Sequence, residues 1–340
     1  MENNDVKNVC MDAFQLNYNY VVLGADGYYL AGYSDIMNLP NVKYYTDYYT
    51  GFESMFSRKI VRLNFSRNVN KYFHTPFKRF VYPKLFPHKF NDDKPVCYLF
   101  FAGWSYIFNS SYIDYLKEKD KNSKFVLYLQ DLVCRNRYLD IDSVRPKMDL
   151  ILSYDQGDCK KYGLLFYPTP MSKSPFIGDN IDKTTDFYFC GKAKGRFEIV
   201  HNLFKELTSR GYKCDFNILE MPRDVERLTG INYPSKQISY QDNITHVINT
   251  KCIVEIMQEG ADGFTPRLWE SIMSDCHLLS NNTSIEKSRF YIPENIHIIN
   301  DDLEKMDLSW LSCKATYEDA LKEELSPINF LKYIDRHLSK

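Results

Sequence analysis

The feature that most constrains this chain is the rhythm of its apolar runs. NYVVLGA (19–25), KPVCYLFFA (94–102), KFVLYLQD (124–131), DLILSYD (149–155) and GLLFYP (163–168) form a first series of β-rich stretches. DFYFCGK (186–192), KCDFNIL (213–219), CIVEIM (252–257), HLLSN (277–281) and NIHIIN (295–300) form a second. Helix-like segments lie between them. In GRFEIVHNLFKELTSRG (195–211), Phe197, Val200, Phe204 and Leu207 recur at helical spacing and Gly211 ends the run. SSYIDYLKEKDK (110–121) reads the same way. Strands alternating with helices predict parallel sheets with right-handed crossovers, so the fold class is α/β with two Rossmann-like, doubly wound domains.

Length agrees, because 340 residues suit two domains of roughly 150 each. A polar, proline-containing stretch at 167–185 separates the two series. The expected division is an N-terminal domain at 1–170, a linker at 171–185 and a second domain at 186–325. Residues 326–340 then form a C-terminal helix packed back on the first domain.

Several function classes are excluded at this stage. A net charge of −1 gives no global attraction to nucleic acid, so an electrostatic partner must be met by a local patch. The nine cysteines are scattered singly, with no CxxC and no Cys/His cluster, as in a reducing compartment. The opening MENNDVKNVC is polar and acidic, unlike a secretory signal. No apolar run reaches the roughly 18 residues of a membrane span. A cytoplasmic location is the expectation.

Ligands of open parallel sheets bind beyond the carboxyl ends of the strands, so the turns after each apolar run are the informative ones. Two stand out. FCGKAKGRFE (189–198) places Gly191 at a tight turn and Lys194 and Arg196 before a helix, an arrangement suited to a diphosphate. It lacks GxGxxG and the P-loop pattern, and a solvated basic turn is the plain alternative. ADGFTPRLWES (261–271) follows the run CIVEIM. Thr265 is a good N-cap and Pro266 a good first helical residue. Arg267 and Glu270 fall on the polar face of that helix, where an ordinary surface ion pair would explain them.

At this point DGFTPRLWESIMSDCHLLSNN resembles the nucleotide-sugar motif in the C-terminal domain of GT-B glycosyltransferases, and the wider run with FYFCGKAKGR upstream is similar to bacterial enzymes of lipopolysaccharide and capsule synthesis. Asp262 and Glu270 have the spacing of that motif's two acids, although the first is commonly Glu. The similarity covers roughly residues 186–300. It implies two domains facing a central cleft, and it implies transfer of a sugar from a nucleotide-diphosphate sugar to a hydroxyl of a glycan or lipid-linked acceptor. By the resemblance Glu270 takes the ribose hydroxyls and Gly263, Phe264 and Thr265 face the donor's sugar or phosphate. Arg267, Lys194 and Arg196 then neutralise the diphosphate. Asp262, with Glu259 nearby, would point at sugar hydroxyls. A non-catalytic, two-lobed sugar- or nucleotide-binding protein is the alternative.

A catalytic base would come from the first domain. Asp26, Asp131 and Asp155 follow strand ends there, and Asp26 is preferred because Gly24 and Gly27 leave room beside it. Each is equally open to a capping role. The pair Asp140 and Asp142 has the DxD spacing of the metal-dependent transferase fold, but it follows no clear strand. No metal and no cofactor are therefore expected. Residues 58–89 hold nine Lys or Arg and no Asp or Glu, interleaved with aromatics. That composition suits an anionic membrane surface, a solvated helix with a buried aromatic face or, less well, single-stranded nucleic acid. Peripheral attachment to the inner face of the cytoplasmic membrane follows from the first, with no nucleic-acid partner.

Overall fold

A computed structural model describes residues 16–66, 69, 78–104, 111–135, 139–176, 183–193, 195–257, 263–299 and 302–339. Lys194, Glu259, Asp262 and the centre of the 58–89 stretch lie outside the described residues. The chain divides into two compact units, residues 1–170 with 327–340, and residues 171–326.

In the first unit the strands are β1 (Asn19–Leu23), β2 (Val42–Tyr45), β3 (Val96–Phe101), β4 (Lys124–Leu129), β5 (Leu150–Ser153) and β6 (Leu165–Phe166). All pairings are parallel and the order is β2-β1-β3-β4-β5-β6. Helices α1 (Tyr28–Gly32), α2 (Ser34–Met37), α3 (Met55–Asn64), α4 (Lys78–Val81), α5 (Tyr112–Lys119), α6 (Ile141–Val144) and α7 (Gln156–Tyr162) connect them. The inner strands are buried along nearly their whole length, as strands covered on both faces must be.

The second unit repeats the scheme. Its strands are β7 (Thr185–Lys192), β8 (Cys214–Leu219), β9 (Thr250–Glu255), β10 (His277–Ser280) and β11 (Ile296–Ile298), all parallel, in the order β11-β10-β9-β7-β8. Helices α8 (Phe197–Ser209), α9 (Tyr240–Ile248), α10 (Pro266–Ser274) and α11 (Asp319–Leu325) belong to it. Val200, Leu203, Phe204 and Leu207 of α8 pack on Phe187, Phe189, Phe216 and Val254. On the other face Tyr188 donates a hydrogen bond to Asn243 of α9 at 3.0 Å. The two-residue alternation of β7 thus separates the layers, which is what makes the sheet doubly wound.

The last helix, α12 (Pro327–Leu338), belongs to the first unit. Phe330, Leu331 and Ile334 are fully buried in its core, with the Phe330 ring 4.7 Å from Tyr167 and 4.8 Å from Tyr128. Asp335 accepts hydrogen bonds from the Tyr20 hydroxyl and the Asn17 amide. Burial holds its carboxyl above the usual range, against the pull of those two bonds.

Candidate functional site

The five strands of the second sheet follow the same order as the first five of the first sheet, and that order fixes where a ligand would sit. From its first strand each chain steps outward to the second, then crosses back to the third. The loops after the first and third strands therefore leave in opposite directions and open a crevice. In the second unit that point lies between β7 and β9, and in the first between β1 and β3.

Charged side chains converge on the crevice of the second unit. Arg196, in the turn after β7, donates from Nε to the Lys192 carbonyl at 3.0 Å and from Nη1 to the Ile256 carbonyl just past β9. Its guanidinium lies 5.8 Å from the centre of the Phe189 ring. Burial and the neighbouring Arg267 hold its pKa below the ordinary value, with Glu255 opposing. Gly191 is needed beside it, because a Cβ there would stand 2.8 Å from Arg196 Nη2.

Glu255 ends β9 and is buried. It accepts from the hydroxyls of Thr265 and Ser280. Burial raises its pKa, and those two hydroxyls, Arg267 and Arg196 pull the other way. This carboxylate was missed in the sequence, although an acid inside the run CIVEIM is a visible signal. An ionisable group in an apolar strand must find partners or lose its charge.

Gly263, Phe264 and Thr265, the three described residues just before α10, are each held. Asn282 Nδ2 donates to the Gly263 carbonyl at 3.1 Å. The Phe264 ring packs edge-on against Trp269 and Phe290. Thr265 accepts from the Arg267 amide at 3.1 Å as N-cap while donating to Glu255. Phe264 and the Thr265 side chain thus also support the loop, and both are half-buried.

Glu270 departs furthest from expectation. Its side chain is closed to solvent. Oε1 accepts from Tyr240 at 2.7 Å and from Asn243 at 3.2 Å, and Oε2 accepts from Arg267. Arg267 also donates to the Cys190 carbonyl at 3.1 Å, tying α10 to β7. Burial opposes the charge of Arg267, and Glu270 more than compensates, holding its pKa above the ordinary value. Glu270 therefore positions Arg267 in this structure and does not present its oxygens to a ribose. The exposed ion pair weighed from the sequence has a fully buried carboxylate and a half-buried guanidinium.

In the first unit the three aspartates line the carboxyl edge of the sheet. Asp26 stands at the crevice, exposed, with one oxygen 2.7 Å from the Gly27 amide. Gly27 has φ 65° and open space beside it, as the preference for Asp26 assumed. Gly24 does not leave room, because the Tyr44 ring occupies the place of its missing side chain. The Tyr44 hydroxyl is fixed on the Ala25 amide and carbonyl, at 3.1 and 3.0 Å. Asp131 is exposed after β4 and accepts from the Leu132 amide at 2.9 Å. Tyr29 is raised by burial and then by Asp131. Tyr154 is pushed up to about 12 by burial, with Asp131 and Asp155 adding to it. Asp155 is the N-cap of α7, accepting from the Asp158 amide at 2.7 Å, so its capping role is the observed one.

Asp140 likewise caps α6, accepting from the Asp142 amide at 3.2 Å. Among the described residues no group of three His, Cys, Asp or Glu side chains is placed to hold a metal ion.

Comparison with protein families finds no match, and comparison with curated proteins finds none either. Among solved structures the chain is similar to α,α-trehalose-phosphate synthase (UDP-forming) from Burkholderia vietnamiensis, with 11% identity over 94% of each chain and a TM-score of 0.43. It is similar to the glycosyltransferase SnogD from Streptomyces nogalater, with 10% identity over 94% of each and a TM-score of 0.38. A chain of the glycosylation-associated protein complex Gap123 from Streptococcus agalactiae matches at 11% identity and a TM-score of 0.42, over 81% of this chain. The present chain spans 59% of the length of that one. At such identities and TM-scores the fold rests on the strand order described above.

Proposed function

We propose that this α/β chain is a glycosyltransferase that moves a sugar from a nucleotide-diphosphate donor to a hydroxyl of a glycan or glycolipid. The observation that carries the reading is the convergence of Arg196 and Arg267 beside the N-terminus of α10, at the point where a doubly wound sheet opens for a ligand. Two guanidinium groups beside a helix N-terminus are groups that stabilise a leaving diphosphate without a metal. Lys194 would add a third cation and Asp262 a partner for sugar hydroxyls. Gly263 supplies the backbone of the approach. Asp26 is the proposed base, because it is exposed and stands at the corresponding point of the first sheet. Asp131 is the second choice, and Asp155, already a helix cap, the last. The bacterial lipopolysaccharide or capsule setting rests on the sequence resemblance.

A thermal-shift panel of nucleotide sugars tests the donor site, since a ligand that binds the native state raises its apparent stability. A shift with one donor nucleotide that disappears in Arg196→Ala supports it, and no shift with any nucleotide sinks it. One rival is a two-lobed sugar- or nucleotide-binding protein without turnover. That rival predicts the donor shift but no acceptor-dependent transfer.

A further inference from the structure

A different surface carries a second, independent reading. Helix α3 is turned the wrong way for a helix that only covers a core. Val61 is buried on its inner side and Phe65, just past its end, packs 5.4 Å from the Tyr48 ring. On its outer side Phe56, Ile60 and Leu63 stand 74%, 42% and 56% exposed. Their spacing of four and three residues puts them in one stripe along the helix. Met55, 74% exposed, extends the stripe at the N-terminal end. Phe80 on α4, further along the chain, is 79% exposed.

Large apolar side chains gathered in this way on a water-facing helix call for a covering surface. The charges around them say which kind. Lys59 and Arg62 are exposed on the same helix beside the stripe, and Lys84 is exposed near α4. From Ser54 to Asn91 the chain contains no Asp or Glu. Arg79 is already paired with Glu118 of α5, so its charge is partly answered within the unit. Ser54 caps α3 by accepting from the Ser57 amide at 3.1 Å, so the helix is formed before anything docks.

We infer that the outer face of α3 is a docking surface for a bilayer carrying anionic lipid. The helix lies in the plane of the interface, with Phe56, Ile60 and Leu63 among the acyl chains and Lys59 and Arg62 at the head groups. Two other occupants fit less well. Single-stranded nucleic acid is bound by a series of aromatic platforms, and this stripe has one ring among aliphatic side chains. A second copy of the chain would bring like cations face to face around a two-fold axis.

The full chain is sedimented with vesicles of phosphatidylcholine alone and of phosphatidylcholine with an equal part of phosphatidylglycerol. Binding is expected to the anionic vesicles and to fall as salt rises, because exposed cations are screened. Phe56→Ser with Leu63→Ser should reduce binding about tenfold or more at low salt. Lys59→Ser with Arg62→Ser should remove the preference for phosphatidylglycerol. Circular dichroism and thermal melts of both variants, all changes being on exposed positions, report whether the fold is kept.

Equal binding to neutral and anionic vesicles, or unchanged binding in both folded variants, overturns the proposal. So does capture of a poly-deoxythymidine strand in place of vesicles. Self-association in sedimentation velocity that Phe56→Ser abolishes, without vesicle binding, assigns the face to a second copy and overturns it too. None of these readings uses a nucleotide sugar, so the donor site and this surface stand or fall separately.

Discussion

Arg267 and Glu270, three residues apart on one helix, are partners whose remaining hydrogen bonds reach α9 on one side and β7 on the other. Removing Glu270 leaves Arg267, one-fifth exposed, without its carboxylate and with its bond to the Cys190 carbonyl. Glu270→Ala is therefore expected to destabilise the second unit by about 1.5–3 kcal/mol, seen as a lower urea midpoint. The resemblance pointed instead to weaker nucleotide binding in a stable protein. If the variant keeps its midpoint and loses donor affinity, Glu270 is a ligand group and must turn outward when the donor binds.

Arg196 gives the complementary test. It is half-buried, and its Nε and Nη1 bonds go to backbone carbonyls, so Arg196→Ala strands no carboxylate partner. Donor affinity is expected to fall about tenfold or more, the effect of losing one charge-assisted hydrogen bond of about 1.5–3 kcal/mol. Gly191→Ala should do nearly the same, because the new methyl would press on Nη2 at 2.8 Å and move the guanidinium. Calorimetry with the donor found in the panel decides both. Unchanged affinity in the pair removes Arg196 from the site.

For the base and the metal, Asp26→Asn is expected to lower turnover about a hundredfold with donor affinity intact. Transfer should continue in excess EDTA. Asp140→Asn with Asp142→Asn should matter little, since Asp140 serves as a helix cap. Activity that dies in EDTA and in the Asp140 variant would return the chain to the metal-dependent chemistry. Asp155→Ala should cost about 1 kcal/mol of stability through the lost cap.

A pH effect is built into the second sheet. His277 Nε2 is 3.0 Å from the Cys313 carbonyl and His297 Nε2 is 3.3 Å from His277 Nδ1. The carbonyl needs an N–H from His277, which leaves Nδ1 to accept from His297. His277 is thus neutral, and His297 stacks on Trp310 at 3.7 Å. Burial, and then His277, holds the pKa of His297 near about 4, below the ordinary 6.5. A depressed pKa contributes stability that is present above 6.5 and is lost as pH falls toward about 4. Glu255 and Asp335, raised by burial, act in the opposite sense as pH falls. The measurement is therefore a difference: the urea midpoint of wild type should fall between about pH 7 and about pH 5 by more than that of His297→Gln. Equal slopes refute the arrangement.

The positions of most strands were legible because buried parallel strands are nearly continuous apolar runs. β2 was not, since VKYY is short and carries a lysine among tyrosines, with only its two ends buried. The turns after β7 and β9 were legible from their glycines and the Thr-Pro cap. What their side chains do was hidden, because it depends on partners far away in sequence. Nothing near Glu270 announces Tyr240 or Asn243, and nothing near Gly24 announces the Tyr44 ring. Local spacing reports the face of an element, and only tertiary structure reports what that face meets.

The return of α12 makes the second unit an insertion. The chain leaves the first unit after Pro170 and rejoins it at Pro327. The edges of the insert are adjacent, with the Met171 amide donating to the Leu325 carbonyl at 2.9 Å. The host therefore lacks Phe330, Leu331 and Ile334 until the guest has been synthesised, and the guest can fold on the ribosome while the host still waits for its last helix. A stop codon that removed only those final turns would leave a finished guest on an open host.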